Sequence, residues 1–325
     1  MAKSVVESKV LPQLSAEQVH AALPWDALAS ALADAFVTPP SAPVRTAHAL
    51  SPADTLLLMP AWNTQAIGIK LVTVIPSAGD HGGHTVDASY LLLDRLTGAP
   101  RAMLDGEALT VRRTAATSAL AARAMAVAAP TSLLVVGTGR LAPWMARAYC
   151  ALLPSVTEVR IWGRDVLKAG AVAHQLNSEG IPAVPVDAAA LEGAVAQSAL
   201  VSCVTTSTTP VVLGAWLQPG THVDLVGGFT PAMREVDNTA IQRARVVVDH
   251  MDSALQEAGD LVQPLEAGVV SRAHIIGDLG ALLRGAITAR RHDAEITLFK
   301  SVGHALEDLA GATLAYRTHV HPGTR

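Results

Sequence analysis

The segment LLVVGTGRLAPWMARAYC, residues 133–150, constrains the fold more than any other stretch of the chain. An apolar run with strand character stops at Gly137, the spacing Gly137-x-Gly139-x-x-Ala142 follows, and an amphipathic helical pattern begins at once. In such a turn the first glycine permits the bend and the second lets backbone N–H groups approach a pyrophosphate. The third small residue allows helix and strand to pack closely. A glycine-rich string alone is common, but between a strand and a helix it points to dinucleotide binding. Gly137, Thr138, Gly139, Arg140, Leu141 and Ala142 are therefore candidate cofactor contacts.

The flanking pattern agrees. From Ala115 an alanine-dense helix, AATSALAARAMAVAA, leads into short apolar strands alternating with helices: SLLVVG, EVRIWG, ALVSCV, HVDLVGG and ARVVVD. That alternation predicts a parallel sheet wound with helices. The first third is of another kind, with the helical spacing of SAEQVHAALPWDALASALADAF followed by β-rich TLLLMPAW, AIGIKLVTVIP and ASYLLLDRLTG. Near the end DAEITLFKSVGHALEDLAGATLAY reads as a strand, a glycine-containing turn and a long helix. The expected fold class is α/β, a Rossmann-type doubly wound sheet (residues 119–299) inserted into an α+β domain (residues 1–118 plus 300–325). The tail THVHPGTR is expected to be mobile.

Composition excludes several functions. A formal charge of −4, with both signs spread along the chain, offers no basic stripe for nucleic acid. Cys150 and Cys203 stand far apart without CxxC spacing, which fits a reducing compartment and a cytoplasmic protein. No signal-peptide pattern opens the chain, and the long uncharged stretch Gly193–Val223 is interrupted by Gly214, Pro210 and Pro219, so no membrane span is expected. His81 and His84, in GDHGGHTV, lack a third ligand; a loop at a substrate entrance is favoured over a metal site, and no metal is expected.

The second strand of the parallel sheet carries a cofactor signal. An NAD site calls for a carboxylate near its end, to bond the ribose 2′-OH, but EVRIWGRD places Gly163 and Arg164 there. A guanidinium instead suits a 2′-phosphate, so NADPH is expected over NADH, with a solvated Arg164 balanced by Asp165 as the plain alternative. Asp224 and Asp249 end strands and remain without a role.

The order of segments resembles the ornithine cyclodeaminase, μ-crystallin and ketimine reductase family from about Val44 to Ala312. It is carried by IGIKLVTVIP, LLLDRLTGAPRAMLDGEALTVRRTAATSALAARAMA, VVGTGRLA, VTTSTTPVV and EITLFKSVGHALEDLA. The resemblance implies a homodimer whose N-terminal domain supplies both the dimer interface and the substrate pocket. It also implies that Lys70, Arg113 and Arg45 hold the carboxylate of an amino or imino acid. Arg113 is independently placed at the mouth of the alanine-rich helix, where free N–H groups attract anions. The remaining candidates on the cofactor's side are Thr114, Thr205, Thr206, Gly228, Val302 and Gly303.

Within that resemblance, VDLVGGFTPAMREVD (residues 223–237) discriminates between branches. Where the cyclodeaminase branch has an aspartate acting on the substrate amine, this chain has Phe229. The glycine pair Gly227 and Gly228 is expected to keep the strand end low for a nicotinamide, and the phenyl ring to wall the substrate pocket. The pattern is similar to the branch that reduces cyclic imines beside a carboxylate. The implied reaction converts Δ1-pyrroline-2-carboxylate or Δ1-piperideine-2-carboxylate to L-proline or L-pipecolate, with Lys70, Arg113 and His304 as catalytic candidates. Ornithine cyclodeamination, alanine dehydrogenation and a non-catalytic crystallin-like NADPH-binding role are the alternatives.

Overall fold

The structure is a computed structural model that describes residues 11–320. Two sheets share one set of helices. The first has the order β1-β6-β5-β4-β3-β2, built from β1 (Gln13–Leu14), β2 (Thr46–Ala49), β3 (Thr55–Trp62), β4 (Ala66–Val74), β5 (Val86–Asp94) and β6 (Pro100–Asp105). From β2 to β6 it is an antiparallel meander; only β1 joins β6 in parallel.

The second sheet is parallel throughout. It comprises β7 (Ser132–Val136), β8 (Glu158–Trp162), β9 (Ala183–Val186), β10 (Leu200–Cys203), β11 (His222–Leu225), β12 (Ala244–Val248), β13 (Ile275–Asp278) and β14 (Ile296–Lys300). They lie in the order β13-β12-β14-β11-β10-β7-β8-β9. The chain winds outward from β7 through β9 and then returns to β10 on the other side of β7. That reversal is a topological switch point, where open α/β sheets bind ligands. The apolar strands are sandwiched: Leu133 to Val136 are each fully buried, worth about 1.5–3 kcal/mol per large side chain.

Four helices pack together, and the central one touches both sheets. The central one, Gly106–Met125, starts about two and a half turns before the alanine-dense run from which it was expected, because Asp105 caps it by accepting from the Ala108 N–H at 2.7 Å. Thr110 and Val111, weak helix formers by propensity, obscure this start in the sequence. SAEQVHAALPWDALASALADAF forms two helices, Ala16–Ala21 and Trp25–Val37, since Pro24 interrupts the first and caps the second. The C-terminal helix Ala305–Val320 packs on the central helix through Leu109, Leu309 and Ala312. It includes Thr318–Val320 of the expected mobile tail; residues 321–325 lie outside the described residues.

β14 lies between β11 and β12, so the chain re-enters the parallel sheet before Ser301–His304 carries it to the C-terminal helix. This crossing forms one wall of the cleft between the sheets. Among the described residues no helix is long and apolar enough to cross a membrane, and Gly193–Val223 contains β10, a short 3-10 turn at Gly214–Trp216, and the first half of β11.

Candidate active site

At the switch point a cavity of about 460 Å³ opens between the two sheets. One wall is a face of the antiparallel sheet, where residues two apart on a strand point the same way: Leu57 and Met59, then Lys70 and Val72, then Ala88. The central helix contributes Thr110, Arg113 and Thr114, and the parallel strand ends contribute Gly139, Leu141, Thr205, Thr206, Gly227 and Phe229. Val302 and Gly303, on the crossing after β14, close it. His81 and His84 are exposed and do not line it.

The cavity is largely apolar, with a charged floor and further charged groups, Arg45, Glu107 and Arg140, in its lining. Lys70 Nζ lies 2.8 Å from Asp308 Oδ2, and Arg113 donates from Nε to Asp308 and from Nη1 to Glu307, each at 2.9 Å. All four side chains are almost wholly buried. Burial lowers the Lys70 ammonium to a pKa of about 8, with Asp308 opposing and Arg113 adding to the fall. For Asp308 burial acts upward, but Arg113 and Lys70 hold the carboxyl below its ordinary value. Arg113 sits eight residues inside its helix, so the free N–H groups at a helix mouth do not account for its environment; the two carboxylates do.

Two cations and two carboxylates leave the floor neutral overall. Their donors are not exhausted. Lys70 meets Asp308 as an ion pair, and among the described residues Arg113 Nη2 has no hydrogen-bond partner. An incoming carboxylate can therefore be bound without displacing Asp308 or Glu307.

Arg45 has partners within the chain besides the anion contact that the resemblance implies. It lines the cavity, yet its Nη2 pairs with Glu257 at 2.9 Å and donates to the carbonyls of Val302 (3.1 Å) and Gly303 (2.9 Å). The N–H groups of the same two residues are both held by Asp249 Oδ2 at 2.8 Å. The crossing turn is thus fixed on both edges. His304 lies beyond it in an adjoining smaller cavity, its ring stacked on His250 at 4.3 Å. Burial, reinforced by His250, lowers its pKa to about 4, so it is neutral at neutral pH.

The glycine pair is crowded by the chain's own groups. A Cβ on Gly227 would stand 1.8 Å from the Thr205 carbonyl, and one on Gly228 would stand 2.3 Å from Asp260 Oδ2. Gly227 lines the cavity; Gly228 lies behind it among buried charges. Phe229 follows on the cavity side and is 43% exposed, so its ring is free to cover a ligand.

On the far side, the turn after β7 fits a dinucleotide. Gly137 has φ of +133°, which a side chain disfavours, and nothing lies within 4 Å of a Cβ built on Gly139, which leaves its backbone open to close approach. Ala142 starts the following helix and is buried. Arg140 is paired with Glu107 at the cavity rim. Gly163 packs against Thr138, joining the ends of β7 and β8. Arg164 is exposed beside them, and Asp165 is engaged as a helix cap to Leu167 and Lys168, not as its counter-ion.

The residues that sequence reasoning missed are mainly carboxylates. Glu307 and Asp308 sit in the first turn of the C-terminal helix, where acids are ordinary dipole partners. Only folding brings them against Lys70 and Arg113. Asp249 proves to hold the crossing turn, whereas Asp224 is buried within the sheet and accepts from Ser202 Oγ at 2.7 Å.

Known proteins resemble this chain over nearly its whole length. The model of the ornithine cyclodeaminase/mu-crystallin family matches residues 10–321. A Delta(1)-pyrroline-2-carboxylate reductase from Colwellia psychrerythraea is 35% identical over 306 residues, 92% of this chain and 96% of that protein. The solved Delta(1)-pyrroline-2-carboxylate reductase of Thermococcus litoralis, in complex with NADH and L-proline, superposes with a TM-score of 0.89 at 29% identity, covering 96% of this chain and 98% of that one. An archaeal alanine dehydrogenase dimer with bound NAD gives 0.87 at 26% identity, covering 97% of each chain. With the match extending over both sheets and the cleft between them, the chain belongs to the ornithine cyclodeaminase/mu-crystallin family.

Proposed function

We propose that the protein reduces Δ1-pyrroline-2-carboxylate, and its six-membered homologue Δ1-piperideine-2-carboxylate, to L-proline and L-pipecolate, with NADPH favoured over NADH. The carrying observation is the pair Lys70 and Arg113 at the floor of a largely apolar cavity, with Phe229 on its wall. The protein is an NAD(P)H-dependent imine reductase, as relatives named for this reaction support.

A nicotinamide dinucleotide held at the turn from Gly137 to Ala142 would supply the hydride. Arg113 Nη2 and the remaining Lys70 N–H groups clamp the substrate carboxylate, which fixes the imine carbon relative to the turn after β7. A protonated cyclic imine with its carboxylate is neutral overall and matches the neutral floor. Lys70, whose depressed pKa makes its proton available near neutrality, supplies or maintains the imine proton. Phe229 excludes water and offers no base, which disfavours ornithine deamination.

A homodimer is supported by the outer face of the antiparallel sheet. Leu58, Ile67, Ile69, Leu71, Leu91 and Leu93 point away from the cavity and remain only half-buried. Separation of the domains at residues 118/119 and 299/300 belongs to the same reading.

Oxidation of NADPH with Δ1-pyrroline-2-carboxylate, with pyruvate plus ammonia, and without substrate tests the proposal, alongside ammonia release from ornithine. Rapid oxidation with the cyclic imine alone is expected. Oxidation faster with pyruvate and ammonia would reassign the protein as an alanine dehydrogenase, and ammonia from ornithine at a matching rate would make it a cyclodeaminase. Dinucleotide binding without turnover would leave the crystallin-like role. Arg164→Ala is expected to reduce the NADPH-over-NADH ratio of kcat/KM by about tenfold, because a charge-assisted pair to the 2′-phosphate is lost. An unchanged ratio removes Arg164 from cofactor selection.

A further inference from the structure

We propose that Glu235 is a positioning residue for the reductase, a buried carboxylate that ties the loops after β10 and β11 into one platform at the cavity. The inference rests on the dinucleotide reading of that cavity. Glu235 Oε1 accepts from the Thr205 N–H at 2.6 Å and the Thr205 hydroxyl at 2.9 Å. Its Oε2 accepts from the N–H groups of Gly227 at 2.8 Å and Gly228 at 3.3 Å. Thr205 and Gly227 both line the cavity, while Glu235 is fully buried behind them. Four donors from two neighbouring strand ends thus converge on one side chain, each oxygen serving both an N–H and a second donor.

Glu235 is itself held. Asp260 Oδ1 accepts from the backbone N–H groups of Glu235 and Val236, and Asp260 Oδ2 is paired with Lys300 Nζ at 3.1 Å. Lys300 is the last residue of β14, and both it and Asp260 are fully buried. The platform is thereby anchored to a third strand. This also explains the glycine pair, since any side chain on either residue would enter the space these carboxylates occupy.

The arrangement is sensitive to protonation. Burial pushes the Glu235 carboxyl up to about 7, Lys300 opposing and Asp260 adding to the rise. The other groups packed around it are the Thr205 hydroxyl and the Cys203 thiol, the latter pushed well above its usual range by burial and then by Glu235. Above about pH 7 the ionised carboxylate accepts all four bonds; below it a proton occupies one acceptor position and the loops loosen. Turnover then falls on the acid side.

The test compares full-length wild type with Glu235→Gln and Glu235→Asp across the pH range. Wild-type kcat is expected to fall as pH drops through about 7. Glu235→Gln should lose that acid limb and show a plateau about tenfold lower, with KM for the imine changed less than about threefold. Glu235→Asp should retain the limb. The same limb should appear without turnover, in the fluorescence of bound NADPH. A protein that shows it there and reduces no imine defeats the proposed reaction while upholding the platform. Thr205→Ala, which removes one donor only, serves if Glu235→Gln fails to fold, and should lower kcat by about threefold. Wild-type kcat and fluorescence level through pH 7, or a Glu235→Gln variant keeping the wild-type plateau and acid limb, would overturn the assignment.

Discussion

Replacing Arg113 by Lys lowers kcat/KM for the cyclic imine by about a hundredfold and leaves NADPH binding within a few-fold of wild type. The reason is the number and direction of its bonds. Arg113 donates from Nε to Asp308 and from Nη1 to Glu307 while lining the cavity. A lysine ammonium lacks that planar fork and cannot satisfy two fixed carboxylates and a substrate carboxylate together. Lys is a better probe than Ala here. Arg113→Ala would leave two buried carboxylates short of a counter-charge, a loss of about 3–5 kcal/mol that mixes unfolding with catalysis. Steady-state kinetics with a fluorescence titration of NADPH separates the effects; a variant with unchanged kcat/KM removes Arg113 from the substrate clamp.

Lys70→Met should be more severe, with kcat down by about a thousandfold. Methionine preserves the length and the apolar packing, and Asp308 keeps Arg113 as a counter-charge. What is lost is the ammonium. With a folded-state pKa of about 8, Lys70 is protonated below that pH and neutral above it, so wild-type kcat should fall as pH rises through about 8. Lys70→Met should lack this alkaline fall. Together with the acid limb assigned to Glu235, the wild-type optimum becomes a narrow bell between about 7 and about 8. A variant that keeps the alkaline fall, or retains kcat within tenfold, shows that another group handles the proton.

Local patterns in the sequence proved legible where a single element carries the meaning. Gly137-x-Gly139-x-x-Ala142 sits between β7 and a helix, as its spacing requires, and each apolar segment named from SLLVVG to ARVVVD is a strand of the parallel sheet. Lys70 and Arg113 were found through the resemblance, and the fold brings them to one floor. What stayed hidden depends on distant contacts. Glu307 and Asp308 are 194 and 195 residues from Arg113, and nothing local marks them as its partners. Glu235 reads as an ordinary charge in MREVD until four donors close on it. The glycine pair was legible as a close approach, and the chain's own carboxylates and the Thr205 carbonyl occupy the space that a side chain there would need. Phe229 illustrates the complementary case: its meaning lay in its departure from an acidic residue, and the structure places it on the cavity wall.

The transfer of hydrogen itself can be followed directly. Incubating the protein with Δ1-pyrroline-2-carboxylate and NADPH deuterated at the nicotinamide C4, and analysing the amino acid by mass spectrometry and NMR, locates the incoming hydride. The expected product is L-proline carrying a single deuterium on its α-carbon. Proline without deuterium at that carbon, or no proline despite bound dinucleotide, would contradict hydride transfer to a cation-anchored cyclic imine.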